Sequence, residues 1–160
     1  MSHPGRSVPL GGALRRAWVG YQQRLDREMA AAGFAAERRF PDGRVLRLCA
    51  GSDEVTASRI GRELGITRQG AGKIVADLRD RGYVTLDASS SDGREKLVAL
   101  APRGRDYLAA QWTAARRIEQ ELRDQLGPEA FQGLIALLDA LGGDDAQPSM
   151  RDYLRRAVRR

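Results

Sequence analysis

The sequence predicts an all-α fold with a small β-hairpin wing: a winged helix-turn-helix set between N- and C-terminal helices. Three observations carry this reading. Apolar residues recur at spacings of three and four over most of the 160 residues, the repeat of amphipathic helices. Two short helical stretches meet at a tight corner, Gly65-Ile66, in the manner of a helix-turn-helix. Directly after them, two β-rich runs flank the turn cluster Ala88-Ser89-Ser90-Ser91-Asp92-Gly93, the pattern of a hairpin.

Residues 1–9, with the sole histidine His3, read as a disordered start. Leu14, Trp18, Tyr21, Leu25 and Met29 then share one face of a helix from about Gly12 to Ala32, which Gly33 ends. Pro41 opens a short second helix carrying Val45, Leu46 and Cys49, closed by Gly51. Thr56 has N-cap chemistry for a third helix that buries Ile60 and Leu64 and stops at Gly65. Thr67 caps a fourth, which buries Ile74 and Leu78 and ends at Gly82. Tyr83–Asp87 and Glu95–Leu100 form the hairpin. Pro102 suits the first position of a long helix with Leu108, Trp112, Ala115, Ile118, Leu122 and Leu126 on one stripe. Gly127-Pro128 breaks it, and a last apolar helix runs from Glu129 to Leu141. Residues 143–160 read as a linker followed by a basic helix that Ser149 can cap.

Charge is unevenly spread. The chain is +6 overall, yet residues 56–105 hold 10 Lys/Arg against 6 Asp/Glu, while residues 106–141 hold 3 against 6. A basic middle beside an acidic helical stretch suits a module that faces an anionic polymer, joined to helices with another task. An ordinary Arg-rich surface accounts for the charge equally well. No apolar run reaches the roughly 20 residues of a membrane span, and the start lacks the apolar core of a signal peptide. Cys49 is the only cysteine, so no intrachain disulfide forms. A cytoplasmic protein is expected.

The helix-turn-helix supplies the chemistry. With Ile60, Leu64, Ile66, Ile74 and Leu78 holding the pair together, Arg68, Gln69, Gly72 and Lys73 remain outward on the first turns of the second helix. Arginine can donate to both acceptors of guanine and glutamine can pair with adenine, while Gly70, Ala71 and Gly72 let a helix lie close to the groove floor. Arg94, beside the wing tip, is placed to reach phosphate or a narrow minor groove. A helix pair alone fits a solvated surface equally well; the wing following in the right order favours DNA.

Ile66-Thr67-Arg68-Gln69 through Asp77-Leu78-Arg79-Asp80-Arg81-Gly82-Tyr83-Val84 resembles the recognition helix of the MarR family of bacterial regulators. Asp92-Gly93-Arg94-Glu95-Lys96-Leu97-Val98 and Pro102-Arg103-Gly104 resemble that family's wing and its return into the long fifth helix. The resemblance spans about residues 10–142, with the winged module at about 41–101. It implies a homodimer built by helices at about 12–32 and 102–141. It further implies transcriptional regulation, usually repression, relieved by a small aromatic or lipophilic effector. By position Thr67, Arg68, Gln69, Gly72 and Lys73 match the groove-reading set, and Asp92 and Arg94 the wing pair in which the acid orients the arginine. The chain departs from the pattern in four places. Gly93 replaces a basic residue, Ala101 a threonine cap, Gly43-Arg44 an aromatic, and Arg59 the acid that often completes a capping box.

Rival readings are an architectural protein that packs DNA without sequence preference, and a redox switch acting through Cys49. Trp18, Tyr21 and Trp112 could line an effector pocket, although aromatics at helical spacing usually belong to a core. With one histidine and one cysteine the chain offers no zinc cluster. It shows no Ser-His-Asp set and no phosphate-cradling glycine loop. No cofactor and no catalytic activity are expected.

Overall fold

The computed structural model describes residues 9–34, 41–87 and 95–143. Its order is α1 (Leu10–Ala31), α2 (Asp42–Ala50), α3 (Ala57–Leu64), α4 (Arg68–Asp80), β1 (Val84–Asp87), β2 (Leu97–Leu100), α5 (Pro102–Leu126) and α6 (Pro128–Gly142). This is the winged helix-turn-helix the sequence predicts. The start before Pro9, the hairpin turn, Asp92, Arg94 and the basic tail from Asp144 lie outside the described residues.

Local chemistry explains most boundaries. Thr56 and Thr67, both extended, accept hydrogen bonds from the backbone N–H groups of Arg59 and Gly70 and so start α3 and α4. Between them Gly65 adopts φ +67°, and the Ile66 and Gly65 N–H groups return to the carbonyls of Gly61 and Arg62. That left-handed residue, costly for any side chain with a Cβ, turns the chain sharply enough to place α4 across α3. β1 and β2 pair antiparallel with Leu86 opposite Val98. The Val98 N–H donates to the Val55 carbonyl at 2.7 Å, tying the base of the wing to the strand-like entry of α3.

The core lies under the winged module. Leu46, Ile60, Leu64, Leu78, Val98, Tyr83 and Tyr107 are all essentially inaccessible. Phe34, Tyr83 and Tyr107 form an aromatic cluster, with Tyr107 edge-on to both others at 5.4 Å. Above it, α1 and α5 run antiparallel, since Arg24 pairs with Glu121 and Glu28 with Arg117. The contact between α5 and the hairpin is exceptionally close. A Cβ on Gly104 would sit 2.2 Å from the Tyr83 carbonyl oxygen, which already accepts the Ala101 N–H at 3.0 Å.

Several expected details shift. The strands are shorter than expected, because Tyr83 turns inward and its N–H closes α4 onto the Leu78 carbonyl. In α4 the buried stripe is Ala71, Val75 and Leu78, with Ile74 only half-buried. The small residue Ala71 sets that phase. In α5 the inward face is Gly104, Tyr107, Ala114 and Ile118, while Trp112 and Leu126 of the expected stripe are 65% and 47% exposed. Helix α5 therefore carries two apolar faces, and the chain itself covers one. Helix α1 does likewise: Leu25 and Met29 are buried, Leu14 and Tyr21 half-buried, and Trp18 exposed.

Candidate nucleic-acid interface

The first turns of α4 present the expected side chains. Thr67, Arg68, Gln69 and Lys73 are exposed and Gly72 half-exposed, while Ala71, Val75 and Leu78 pin the opposite face to the core. The exposed face thus has an orientation set by packing.

Arg68 has an ionic partner that the sequence does not reveal. Its Nε lies 2.8 Å from Glu95 Oε1 as an ion pair, and the same carboxylate oxygen accepts the Ser58 hydroxyl at 2.6 Å. Glu95 stands at the foot of the wing, just before β2. It joins that foot to the first turn of α3 and the first turn of α4. The Ser58 hydroxyl is the main reason its carboxyl is held below the usual range, against the opposing pull of burial; the Thr56 hydroxyl and the Arg68 charge add to it. Because the folded-state value is lowered, this contribution to stability is intact above the ordinary carboxylate range. It fades as pH falls through the lowered value. Glu95 brings a carboxylate to the start of α3, whose own first turn has no acid. An acid at the third helical position normally completes the cap of such a helix, but Arg59 occupies it and instead binds Ser52 Oγ and the Glu54 carbonyl. That departure from pattern was the sequence signal that an acid from elsewhere serves the start of α3.

A second acid also escaped the sequence reading. Asp42, at the start of α2, is 1% exposed and takes both Nη groups of Arg81 at 2.8 and 3.0 Å. Asp77 binds the same guanidinium at 2.6 and 2.9 Å, and the Tyr83 ring lies 5.1 Å below it. Burial works against the Arg81 charge, but the hydrogen bonds and charges of Asp42 and then Asp77 outweigh it and raise the pKa. Arg81 thus ties α2 to the end of α4 rather than facing outward.

Cys49 packs inward on α2, and burial pushes its thiol up to about 11. At neutral pH it has very little of the thiolate that reacts with peroxide. Trp18 and Tyr21 stack at 6.0 Å on α1. Trp112 lies elsewhere: the α1–α5 pairing sets Trp18 level with Gly127, about 15 residues or ~22 Å along α5 from Trp112. An open groove of about 230 Å³ between α2 and α3, lined by Arg44, Val45, Leu48, Ile60, Glu63 and Leu64, involves none of these aromatics. Among the described residues no group of three His, Cys, Asp or Glu could hold a metal ion. No described helix is long and apolar enough to cross a membrane.

Residues 39–95 match the model of the MarR family. No curated protein matches the chain. Among solved structures, it is similar to the transcriptional repressor CouR bound to a 23-mer DNA duplex, at 26% identity and TM-score 0.63, over 84% of this chain and 92% of that one. It is similar in fold to Rv1404 of Mycobacterium tuberculosis, at 20% identity and TM-score 0.75, over 92% and 100%. It is likewise similar to Rv2887, a MarR family protein of the same organism in complex with salicylic acid, at 22% identity and TM-score 0.58, over 87% and 100%.

Proposed function

With residues 39–95 matching the MarR family, we propose that the chain is a sequence-specific DNA-binding transcriptional regulator, a ligand-responsive repressor that acts as a homodimer on a pseudo-palindromic operator. The observation that carries this reading is the fixed outward set Arg68, Gln69 and Lys73 on a helix whose other face is locked in the core. Long hydrogen-bonding side chains projecting from one helix face suit base edges, whereas an architectural protein needs only scattered cations. Asp92 and Arg94, which lie outside the described residues, are assigned to the interface by the family resemblance alone. Trp18, Val19, Ile135, Leu137, Leu138 and Leu141, all more than a third exposed, make an apolar surface that a second copy would cover.

Selection from a random DNA pool tests the reading. The expected product is a dyad-symmetric site with half-site centres about 10 base pairs apart, bound by a species of twice the 17.6 kDa chain mass. Gln69→Ala should cost about 1–3 kcal/mol on that site and relax one position per half-site. Arg94→Ala should weaken all sequences alike. Recovery of AT-rich DNA without symmetry would replace this reading with the architectural one.

The effector follows from the separation of the aromatics. Trp112 of one copy and the Trp18–Tyr21 pair can share a pocket only across a dimer, so a ligand there would bias the spacing of the two recognition helices. An aromatic acid is the chemical class to titrate, given the salicylic acid complex of Rv2887. It should release the operator; tight binding without any change in DNA affinity would remove this step.

A further inference from the structure

We propose that Glu95 is a specificity-determining residue: by holding Arg68 through Nε, it turns that arginine from a general phosphate grip into an end-on reader of guanine. The proposal rests on α4 being the DNA-contacting helix.

The geometry makes the anchor rigid. Glu95 Oε1 accepts the Ser58 hydroxyl and pairs ionically with Arg68 Nε, so one carboxylate bonded to α3 faces the guanidinium on α4. Its backbone precedes β2, which the hairpin register and the Val98–Val55 bond hold in place. The clamp therefore comes from outside the recognition helix and would persist while α4 lies in a groove. Arg68 is 67% exposed in its side chain, and without such a clamp would sample many rotamers.

The chemistry then narrows what Arg68 can address. A guanidinium offers two forks to a two-acceptor target, one through Nε and an Nη, the other through both Nη groups. With Nε beside Glu95 the second fork remains. Guanine, with O6 and N7 side by side on its major-groove edge, is the base that accepts it. The pair also carries no net charge, so it adds little to attraction for phosphate. An acid beside a DNA-facing helix would weaken indiscriminate binding.

The test is selection of random duplex DNA by the full chain, its Glu95→Gln variant, and the same two proteins carrying Arg68→Ala, with melting curves for all four. Glutamine keeps the length of the side chain and an oxygen for Ser58, so the module should fold, but it removes the negative charge that holds the Arg68 guanidinium. The wild-type chain should prefer guanine at one position per half-site by about 10-fold or more. Glu95→Gln should flatten that one position and bind the unselected pool more tightly. With Arg68→Ala in place, Glu95→Gln should leave the profile unchanged. A Glu95→Gln variant that melts lower but keeps the wild-type profile overturns the proposal, as does uniform weakening at every sequence. A wild-type chain that selects no sequence overturns the regulatory reading itself, a result distinct from the other two.

Discussion

Replacing Asp42 by alanine is expected to destabilise the protein by about 3–5 kcal/mol, a large share of the 5–15 kcal/mol typical of a domain. The effect arises from what is left behind. Arg81 keeps its charge, and its side chain is only 16% exposed. With Asp42 gone, Asp77 still faces it from the neighbouring turn of α4. Urea unfolding should show a lower midpoint with an unchanged slope. Adding Arg81→Met should recover most of the loss, because an apolar chain of similar length needs no partner. A single-variant loss below about 1 kcal/mol would mean that water reaches the pair and that it does not lock α2 to α4.

Gly104→Ala should be comparably severe although it improves helix propensity. Alanine in place of glycine inside a helix is worth about 1 kcal/mol in favour of the variant. Here the new methyl would lie 2.2 Å from a backbone oxygen that is itself held by the Ala101 N–H. Neither atom can swing aside, so α5 must lift from the hairpin and uncover the Tyr83–Tyr107 contact. A net loss of about 4 kcal/mol or more should lower the melting temperature by roughly 8–16 °C in a chain of this size. Gly20→Ala in α1, where nothing lies within 4 Å, is the control and should raise it slightly. Equal melting of both variants would show that α5 has slack against the hairpin.

What was legible in the sequence follows from the range of each interaction. The caps at Thr56 and Thr67 act on residues three positions away, and the Gly65 corner is a single-residue conformation, so all three could be read directly. The two acids could not. Ser58–Glu95 spans 37 positions and Arg81–Asp42 spans 39, and each residue alone looks like ordinary surface charge. Asp42 was doubly hidden, since an acid in a first turn already suits the helix dipole. The phase of α5 failed for another reason. Its apolar residues occupy two faces, and periodicity has no means of saying which one meets the rest of the same chain. Gly104 decided it, a residue without a side chain to count.

The burial of Arg81 bears on how binding would respond to ionic strength. Counterions leave DNA in proportion to the phosphates a protein neutralises, and the slope of log affinity against log salt reports that number. Arg81 belongs to the 10 basic residues of the 56–105 stretch, yet its guanidinium is spent on Asp42 and Asp77 and displaces no counterion. A count of formal charges therefore overstates the salt sensitivity of this module. Affinity rooted in fixed hydrogen bonds rather than in released ions would hold up better as the surrounding electrolyte thickens.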